Sequence, residues 1–283
     1  MPEFIDAHGI AIVYDVHPAH GAPRGVVQLL HGVGEHAGRY ATTIGALTEA
    51  GFIVYADDHR GHGRTGMRQH GGDATRLGRL GPGGLRAAVA ACVRLSGIIR
   101  DENPGLPLVL LGHSWGSFLA QMMVDDAPQA YDALILSGSA LRWPGDLNAA
   151  PLNKRWAGPG ANGTEWLSTD AAVGTAFLAD PLTTTTPLAE LFGIRDTLRL
   201  IGRPRRDLGV ALPVLLLVGG DDPVGGPRSV HRLADAYRNR SKLTDVTTFV
   251  YPDARHEIFN EAVQGEVRAD LLAWLDQRMP RRD

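Results

Sequence analysis

A serine lies between two glycines at the point where an apolar run gives way to a helical pattern. The segment Gly112–Gly116 reads Gly-His-Ser-Trp-Gly and directly follows the apolar run Leu108–Leu111. In a strand–turn–helix context, a G-x-S-x-G segment exposes the serine hydroxyl at a strained turn, and its glycines leave room for neighbouring backbone. A hydroxyl held in this way can attack a carbonyl carbon. We therefore predict Ser114 as a nucleophile.

A nucleophilic serine requires a base to remove its proton and a carboxylate to orient that base. On this kind of fold the two partners follow later strands in the order Asp, His. Asp221 and Asp222 come shortly after the apolar run Val214–Val218. His256 comes after the run Thr247–Tyr251. We predict His256 as the base and one of the two aspartates as the acid, because spacing alone does not distinguish them.

Acyl transfer also requires hydrogen-bond donors for the oxyanion that forms during attack, and backbone N–H groups are the usual donors. The N–H of Trp115, the residue after the nucleophile, is one candidate. The loop after the early apolar run Val26–Leu30 supplies the other, because glycines on both sides of Val33 let this loop approach Ser114. We predict that the N–H groups of Val33 and Trp115 form the oxyanion hole.

Apolar runs alternate with helical patterns along most of the chain. Most of the runs are continuous, as in strands that are buried on both faces. They are Ile10–Val16, Val26–Leu30, Ile53–Ala56, Leu108–Leu111, Ala133–Leu136, Val214–Val218 and Thr247–Tyr251. Such alternation predicts an α/β fold with a mostly parallel central sheet, helices on both faces and an antiparallel start near the N-terminus.

The alternation stops between residues 139 and 212, where Pro, Gly and Thr accumulate and no strand is evident. We predict a core made of residues 1–138 and 213–283, interrupted by a cap or lid insertion at 139–212. A long surface loop is the alternative, but several large aromatic side chains are costly to leave exposed. We expect four of them to line a substrate pocket, namely Trp143, Trp156, Trp166 and Phe177.

Composition excludes several classes of partner. The formal net charge of the 283 residues is −3, so no positive field attracts nucleic acid. No window approaches the roughly 20 apolar residues of a membrane helix, so we expect no stable membrane insertion. The single cysteine, Cys92, and the absence of a secretory-signal pattern favour a cytoplasmic protein. His31, Glu35 and His36 lack zinc-site spacing, and we expect no metal or organic cofactor.

Five motif-like segments are distributed along the chain outside the insertion. They are His31–Tyr40, Asp58–Thr65, Gly112–Gly116, Asp221–Val224 and Arg255–Glu261. Together they resemble the monoacylglycerol lipase and lysophospholipase branch of the α/β-hydrolases, which is related to the serine aminopeptidases. The resemblance extends over nearly the whole chain except the insertion.

The resemblance implies Ser114 as nucleophile, His256 as base and Asp222 as acid, with Val33 and Trp115 as oxyanion donors. It also implies a mobile apolar cap over an acyl-chain pocket. The expected reaction is hydrolysis of small-molecule carboxylic esters, with monoacylglycerols or similar medium-chain acyl esters as substrates. An apolar rim on the cap would allow transient contact with lipid surfaces.

Two other functions are compatible with the fold. An amidase or aminopeptidase-type hydrolase would need an anionic subsite for a free amine, and none is identified. A non-catalytic binding protein is also conceivable because fold does not fix function, but such proteins typically lose a member of the triad.

Overall fold

The computed structural model describes residues 2–281, and its centre is one eight-stranded sheet in the order β1-β2-β4-β3-β5-β6-β7-β8. The strands are β1 (Glu3–Ile5), β2 (Ala11–His17), β3 (Gly25–Leu30), β4 (Phe52–Asp57), β5 (Leu108–His113), β6 (Ala133–Ser137), β7 (Val214–Gly219) and β8 (Val246–Tyr251). The β1–β2 and β2–β4 pairs are antiparallel, and all later pairs are parallel. The predicted mostly parallel sheet and its antiparallel start are confirmed.

Helices cover both faces of the sheet because alternate strand residues point to opposite sides. The helices are α1 (Ala41–Glu49), α2 (Gly63–Gln69), α3 (Gly84–Glu102), α4 (Trp115–Asp126), α5 (Ala171–Ala179), α6 (Leu188–Arg199), α7 (Gly226–Asp235) and α8 (Gln264–Arg278). Val26 and Leu30 of β3 pack in the core shared with α3, α4 and α7. Val27 and Leu29 pack in the core shared with α1 and α8. Strands buried on both sides explain the continuous apolar runs.

The carboxyl ends of the parallel strands gather the loops that carry polar side chains at one edge of the sheet. Ser114 directly follows β5, the two aspartates follow β7, and His256 follows β8. The loop that begins at His31 follows β3 at the same edge. Residues far apart in the sequence are therefore brought to one place by the topology alone.

The segment 139–212 lies between β6 and β7 and contributes α5 and α6 but, among the described residues, no strand of the sheet. It is held to the loops at the carboxyl edge by backbone hydrogen bonds. The N–H of Glu257 donates to Leu167 at 2.7 Å, and the N–H of Thr184 donates to Gly34 at 2.8 Å. Across residues 2–281, no helix is long and apolar enough to cross a membrane.

Candidate active site

Ser114 occupies a strained turn between β5 and α4. Its φ of 52° and ψ of −122° lie in a region that residues with a Cβ rarely adopt. Backbone hydrogen bonds on both sides hold the turn, because the N–H of Ser114 donates to Ser137 and that of Ser117 donates back to Ser114, both at 2.9 Å. Strain of this kind persists only where the surrounding structure over-determines it, and it concentrates at functional sites.

The two glycines around Ser114 are required by the close packing of the turn. A Cβ on Gly112 would lie 2.6 Å from the carbonyl oxygen of Gly116, and one on Gly116 would collide with the carbonyl of Leu30 at the end of β3. The loop after β3 also comes close, since a Cβ on Gly32 would lie 3.1 Å from the Cβ of Ser114. Glycine at these positions therefore allows the oxyanion-hole candidates to approach the serine.

A buried histidine–aspartate pair lies at the same edge of the sheet. His256 Nδ1 is 2.9 Å from Asp222 Oδ1, which also accepts the N–H of Val224 at 2.8 Å. Asp221 instead forms an ion pair with Arg155 and is partly exposed. The structure thus distinguishes the two aspartates that spacing left open. Among the described residues, Nε2 of His256 has no hydrogen-bond partner, so it is available to accept a proton.

The pKa of His256 is set by opposing effects. Burial lowers it, but the charge and hydrogen bond of Asp222, with further contributions from Glu257 and Glu35, raise it above the ordinary value of 6.5. His113 lies beside His256 with ring centroids 4.7 Å apart. Burial and the neighbouring imidazole hold the pKa of His113 well below its ordinary value. Its surroundings therefore favour the neutral form of His113, whereas those of His256 favour the protonated form.

The loop after β3 is fixed by a buried carboxylate. Glu35 accepts hydrogen bonds from the N–H of Gly32 at 2.6 Å and from the hydroxyl of Tyr40 at 2.5 Å. The backbone N–H of Val33, the residue after Gly32, has no hydrogen-bond acceptor within residues 2–281. The N–H of Trp115 belongs to the first turn of α4, where no intrahelical acceptor exists. Both groups remain available to a ligand beside Ser114.

An ion-pair network connects this loop to the histidine loop. Arg39 donates to Glu35 at 3.0 Å and to Glu257 at 2.5 Å; both carboxylates are buried, and the Arg39 side chain is 9% exposed. Burial opposes the charge of Arg39, but the two carboxylates raise its pKa above the ordinary value. These residues lie in the motifs His31–Tyr40 and Arg255–Glu261, for which no ion-pair network was predicted. The signal was two acidic residues and one arginine in loops at the same sheet edge.

Two of the four aromatic side chains predicted to line the pocket lie close to these groups. The Trp166 ring lies 5.0 Å from the His256 ring. Phe177 is buried on α5, and the Arg39 guanidinium lies 4.8 Å from its ring centroid. The insertion therefore contacts both the histidine and the ion-pair network.

The other two aromatic side chains stack with arginines. The Arg203 guanidinium lies 3.7 Å above Trp143, which is partly exposed. That of Arg255 lies 4.7 Å from the Trp156 ring. The structure does not bring Trp143 or Trp156 into contact with Ser114 or His256.

Trp115 itself has a fully buried side chain. Its ring stacks on His62 at 5.1 Å, meets His59 edge-on at 5.5 Å, and contacts Phe192 of α6 at 5.1 Å. Phe192 is one of the large aromatic residues on which the predicted cap was based, but it was not among those predicted to line the pocket. The contact of Phe192 with Trp115 connects the insertion to the residue that follows Ser114.

The three side chains weighed as a metal site have separate partners. His31 Nε2 accepts the N–H of His59 at 2.9 Å, His36 pairs with Asp180 at 2.8 Å, and Glu35 holds Gly32 as described. A different buried set, Asp57, His59 and Cys92, has ligand-type atoms within 4.8 Å of one another. Its members hydrogen-bond to each other, with 2.7 Å between His59 Nδ1 and Asp57 Oδ2.

Several lipases and esterases are similar to this chain in sequence or in fold. A monoacylglycerol lipase from Mycolicibacterium smegmatis is 36% identical over 287 residues, which cover 96% of this chain and 95% of the lipase. Human monoglyceride lipase is 27% identical, with 98% and 91% covered. A thermostable carboxyl esterase from Bacillus coagulans, solved with glycerol, superposes with a TM-score of 0.80 at 25% identity and covers 98% of each chain. The predicted resemblance is confirmed.

A family model also matches most of the chain. It is described as serine aminopeptidase, S33, and spans residues 21–263. This range includes the loop after β3, the serine turn, the whole insertion and the histidine loop. The chain belongs to the serine aminopeptidase S33 family of α/β-hydrolases.

Proposed function

We propose that this protein is a carboxylic ester hydrolase that forms an acyl-enzyme on Ser114. The buried Asp222–His256 pair at 2.9 Å, at the same sheet edge as the strained serine turn, carries the proposal. The lipase and esterase relatives support ester hydrolysis rather than amide hydrolysis. No cofactor is required for this chemistry.

The reaction takes place in two steps. Ser114 Oγ attacks the ester carbonyl while His256 Nε2 accepts its proton, and Asp222 holds the imidazole in the required tautomer. The N–H groups of Val33 and Trp115 stabilise the oxyanion, and removal of one such donor typically costs about 2.7–4 kcal/mol. His256 then protonates the leaving alcohol and activates water, which releases the acid.

We propose monoacylglycerols or similar medium-chain acyl esters as substrates. The named activity of the Mycolicibacterium relative supports this class. Apolar side chains such as Phe192 and Trp166 beside the site would favour an acyl chain at roughly 0.8 kcal/mol per buried methylene. A panel of monoacylglycerols graded by chain length, with amino-acid amides for comparison, measures this preference. Faster hydrolysis of the amides would refute the ester assignment.

We further propose that residues 139–212 act as a cap on a core formed by 1–138 and 213–283. Their contacts with the loops after β3 and β8 support this division. Trp166 and Phe177 are the cap residues we assign to the pocket wall. A cap in this position would also touch lipid surfaces transiently.

We also propose a cytoplasmic location. The single cysteine, Cys92, is buried and free, which supports this proposal.

The nucleophile assignment is tested by Ser114→Ala. We expect turnover to fall by about three to six orders of magnitude, because the residual rate comes only from binding and the oxyanion hole. A fluorophosphonate probe should label the wild-type protein and not the variant. Circular dichroism serves as the control for folding. Retained activity in the folded variant would refute the assignment.

A further inference from the structure

Three side chains of the types that bind transition metals lie together between the end of β4 and the middle of α3. Asp57 is the last residue of β4, His59 follows two residues later, and Cys92 belongs to α3. Each of the three is only 1% exposed. We call these three residues the β4–α3 cluster. It is separate from the three side chains that were weighed above as a metal site, which have partners of their own.

The position of the thiol in this cluster is fixed by hydrogen bonds between α3 and β3. Gln28 of β3 is fully buried, and its Nε2 donates to the carbonyl of Cys92 at 2.9 Å. Gln28 Oε1 accepts the hydroxyl of Ser96, one turn further along α3, at 2.6 Å. These bonds hold the helix against the sheet. They place Cys92 Sγ 3.7 Å from His59 Nδ1.

The distances within the cluster are close to those of a zinc site. Zinc binds thiolate sulfur at about 2.3 Å and imidazole nitrogen at about 2.0 Å, so two such ligands at a tetrahedral angle lie about 3.5 Å apart. The observed separation of His59 Nδ1 and Cys92 Sγ is 3.7 Å. The 2.7 Å between His59 Nδ1 and Asp57 Oδ2 would widen to about 3.3 Å when a metal replaces the shared proton. Ligand-type atoms of all three residues lie within 4.8 Å of one another.

Two polar atoms of the cluster are buried and have no hydrogen-bond partner in the described part of the chain, namely Asp57 Oδ1 and His59 Nε2. Buried atoms of this kind are rare, and a bound ion is one explanation for them. A metal held by both oxygens of Asp57 would supply the missing partner of Oδ1. Because nothing within residues 2–281 donates to His59 Nε2, the ring proton can lie there and leave the lone pair of Nδ1 for the metal.

The charges of the cluster also match a divalent cation. Metal binding deprotonates a coordinating thiol, so Cys92 and Asp57 would carry two negative charges beside a neutral imidazole. A divalent ion balances these charges, which buried ionic groups require. With both oxygens of Asp57 bound, four donor atoms surround the ion, the number that is usual in structural zinc sites. Thiolate and imidazole ligands select zinc over Mg²⁺ and Ca²⁺, which prefer oxygen.

We propose that the β4–α3 cluster binds one Zn²⁺ ion through Asp57, His59 and Cys92. The ion has a structural role, because it links the loop after β4 to α3. It also supports the neighbouring loop after β3, since the N–H of His59 donates to His31 Nε2 at 2.9 Å and the two rings stack with centroids 4.0 Å apart. The inference does not rest on the proposed hydrolase function.

Cobalt spectroscopy tests the site, because Co²⁺ replaces Zn²⁺ in proteins and a thiolate ligand gives it a charge-transfer band in the near ultraviolet. Cys92 is the single cysteine of the chain, so this band reports on one position. Expression of the full-length protein in medium supplied with Co²⁺ loads the buried site during folding. We expect one Co²⁺ per chain with the thiolate band, and displacement by Zn²⁺, which thiolate sites prefer. Purified protein without bound metal, or with Co²⁺ but without the band, would overturn the proposal.

Substitutions test the individual ligands. Cys92→Ser should lose the band and the bound ion. Asp57→Asn and His59→Gln keep the thiol, and competition with a chelator should show affinity for Co²⁺ at least about tenfold weaker than in the wild type. Asp146→Asn, which changes another buried carboxylate, and His20→Gln, which removes an exposed imidazole, are the matched controls. Equal affinity in a variant and its control would overturn the ligand assignment.

Thermal unfolding gives a second readout that needs neither colour nor an ester substrate. An ion that binds only the folded state stabilises it, so removal of zinc by a chelator should lower the melting temperature of the wild-type protein. The same treatment should leave the melting temperature of Cys92→Ser unchanged. Equal shifts in both proteins would place the metal elsewhere and overturn the proposal. These outcomes are scored in the same way whether or not Ser114 proves to be the nucleophile.

Discussion

Asp221 and Asp222 are adjacent in the sequence but have different surroundings. Asp222 is buried against His256, whereas Asp221 pairs with Arg155 near the surface. We predict that Asp222→Asn lowers kcat by about four orders of magnitude, because the amide favours the wrong tautomer of the histidine. Asp221→Asn removes the same charge one residue away and should change kcat less than about threefold. Steady-state kinetics on one ester compare the two variants, and thermal melts are the control for folding. Similar losses of kcat in both variants would refute the assignment of Asp222 as the acid.

The pH dependence of the reaction reports on the same histidine. His256 must be neutral to accept a proton, and its pKa is raised above the ordinary value of 6.5. We therefore expect the midpoint of the rise of kcat/KM with pH, the acid limb of the profile, to lie above pH 6.5. Glu257→Gln removes a charge that raises the pKa of His256, and the limb should move to lower pH. Glu266→Gln, on the exposed side of α8, is the matched control. If the midpoint of the acid limb is the same in Glu257→Gln as in the wild type, the charge of Glu257 does not act on His256.

Single functional residues could be predicted where a motif specified both the residue type and the secondary structure on either side of it. The Gly112–Gly116 turn has the strand before it and the helix after it that the sequence indicated. The choice between the aspartates was not predictable from spacing, because it depends on which carboxylate the loop after β7 turns toward His256. Phe192 was not predicted as a site residue, because its contact with Trp115 joins residues 77 positions apart that no motif connects.

At the scale of elements, the Glu35–Arg39–Glu257 network joins two loops and lies against α5. We predict that Arg39→Met destabilises the protein by about 3–5 kcal/mol, because it leaves the charges of two buried carboxylates without a countercharge. Chemical denaturation measures the change in the free energy of unfolding. Arg68→Met, which breaks a half-exposed pair with Glu3, should cost at most about 1 kcal/mol.

The mechanism of that loss can be separated from simple packing. If unpaired charge is the cause, the variant that combines Arg39→Met with Glu35→Gln and Glu257→Gln should recover part of the stability lost in Arg39→Met alone. Additive losses in the combined variant would contradict this explanation. They would instead indicate that the hydrogen bonds of Glu35 to Gly32 and Tyr40 dominate.

Elements were predictable where burial on both faces produced long apolar runs. All seven predicted strands are present with boundaries shifted by a few residues at most. β1 was missed because it has only three residues, and α2 because its seven residues include two glycines and no apolar period. α5 and α6 escaped prediction because the insertion packs on loops and leaves apolar side chains such as Ile194 exposed, so no single buried stripe forms.

At the scale of the whole molecule, a sheet buried on both faces is joined to an insertion held largely through loops. The insertion should therefore open locally at lower free energy than the core. A covalent phosphonate on Ser114 that carries a long alkyl chain should slow amide exchange in α5 and α6 by roughly tenfold, because the chain buries apolar surface between the two parts. Hydrogen-exchange mass spectrometry measures this, with a methylphosphonate adduct as the matched control and β6 as the internal reference. Equal protection by both adducts would mean that the insertion does not cover the acyl chain, and the proposed division into core and cap would fail.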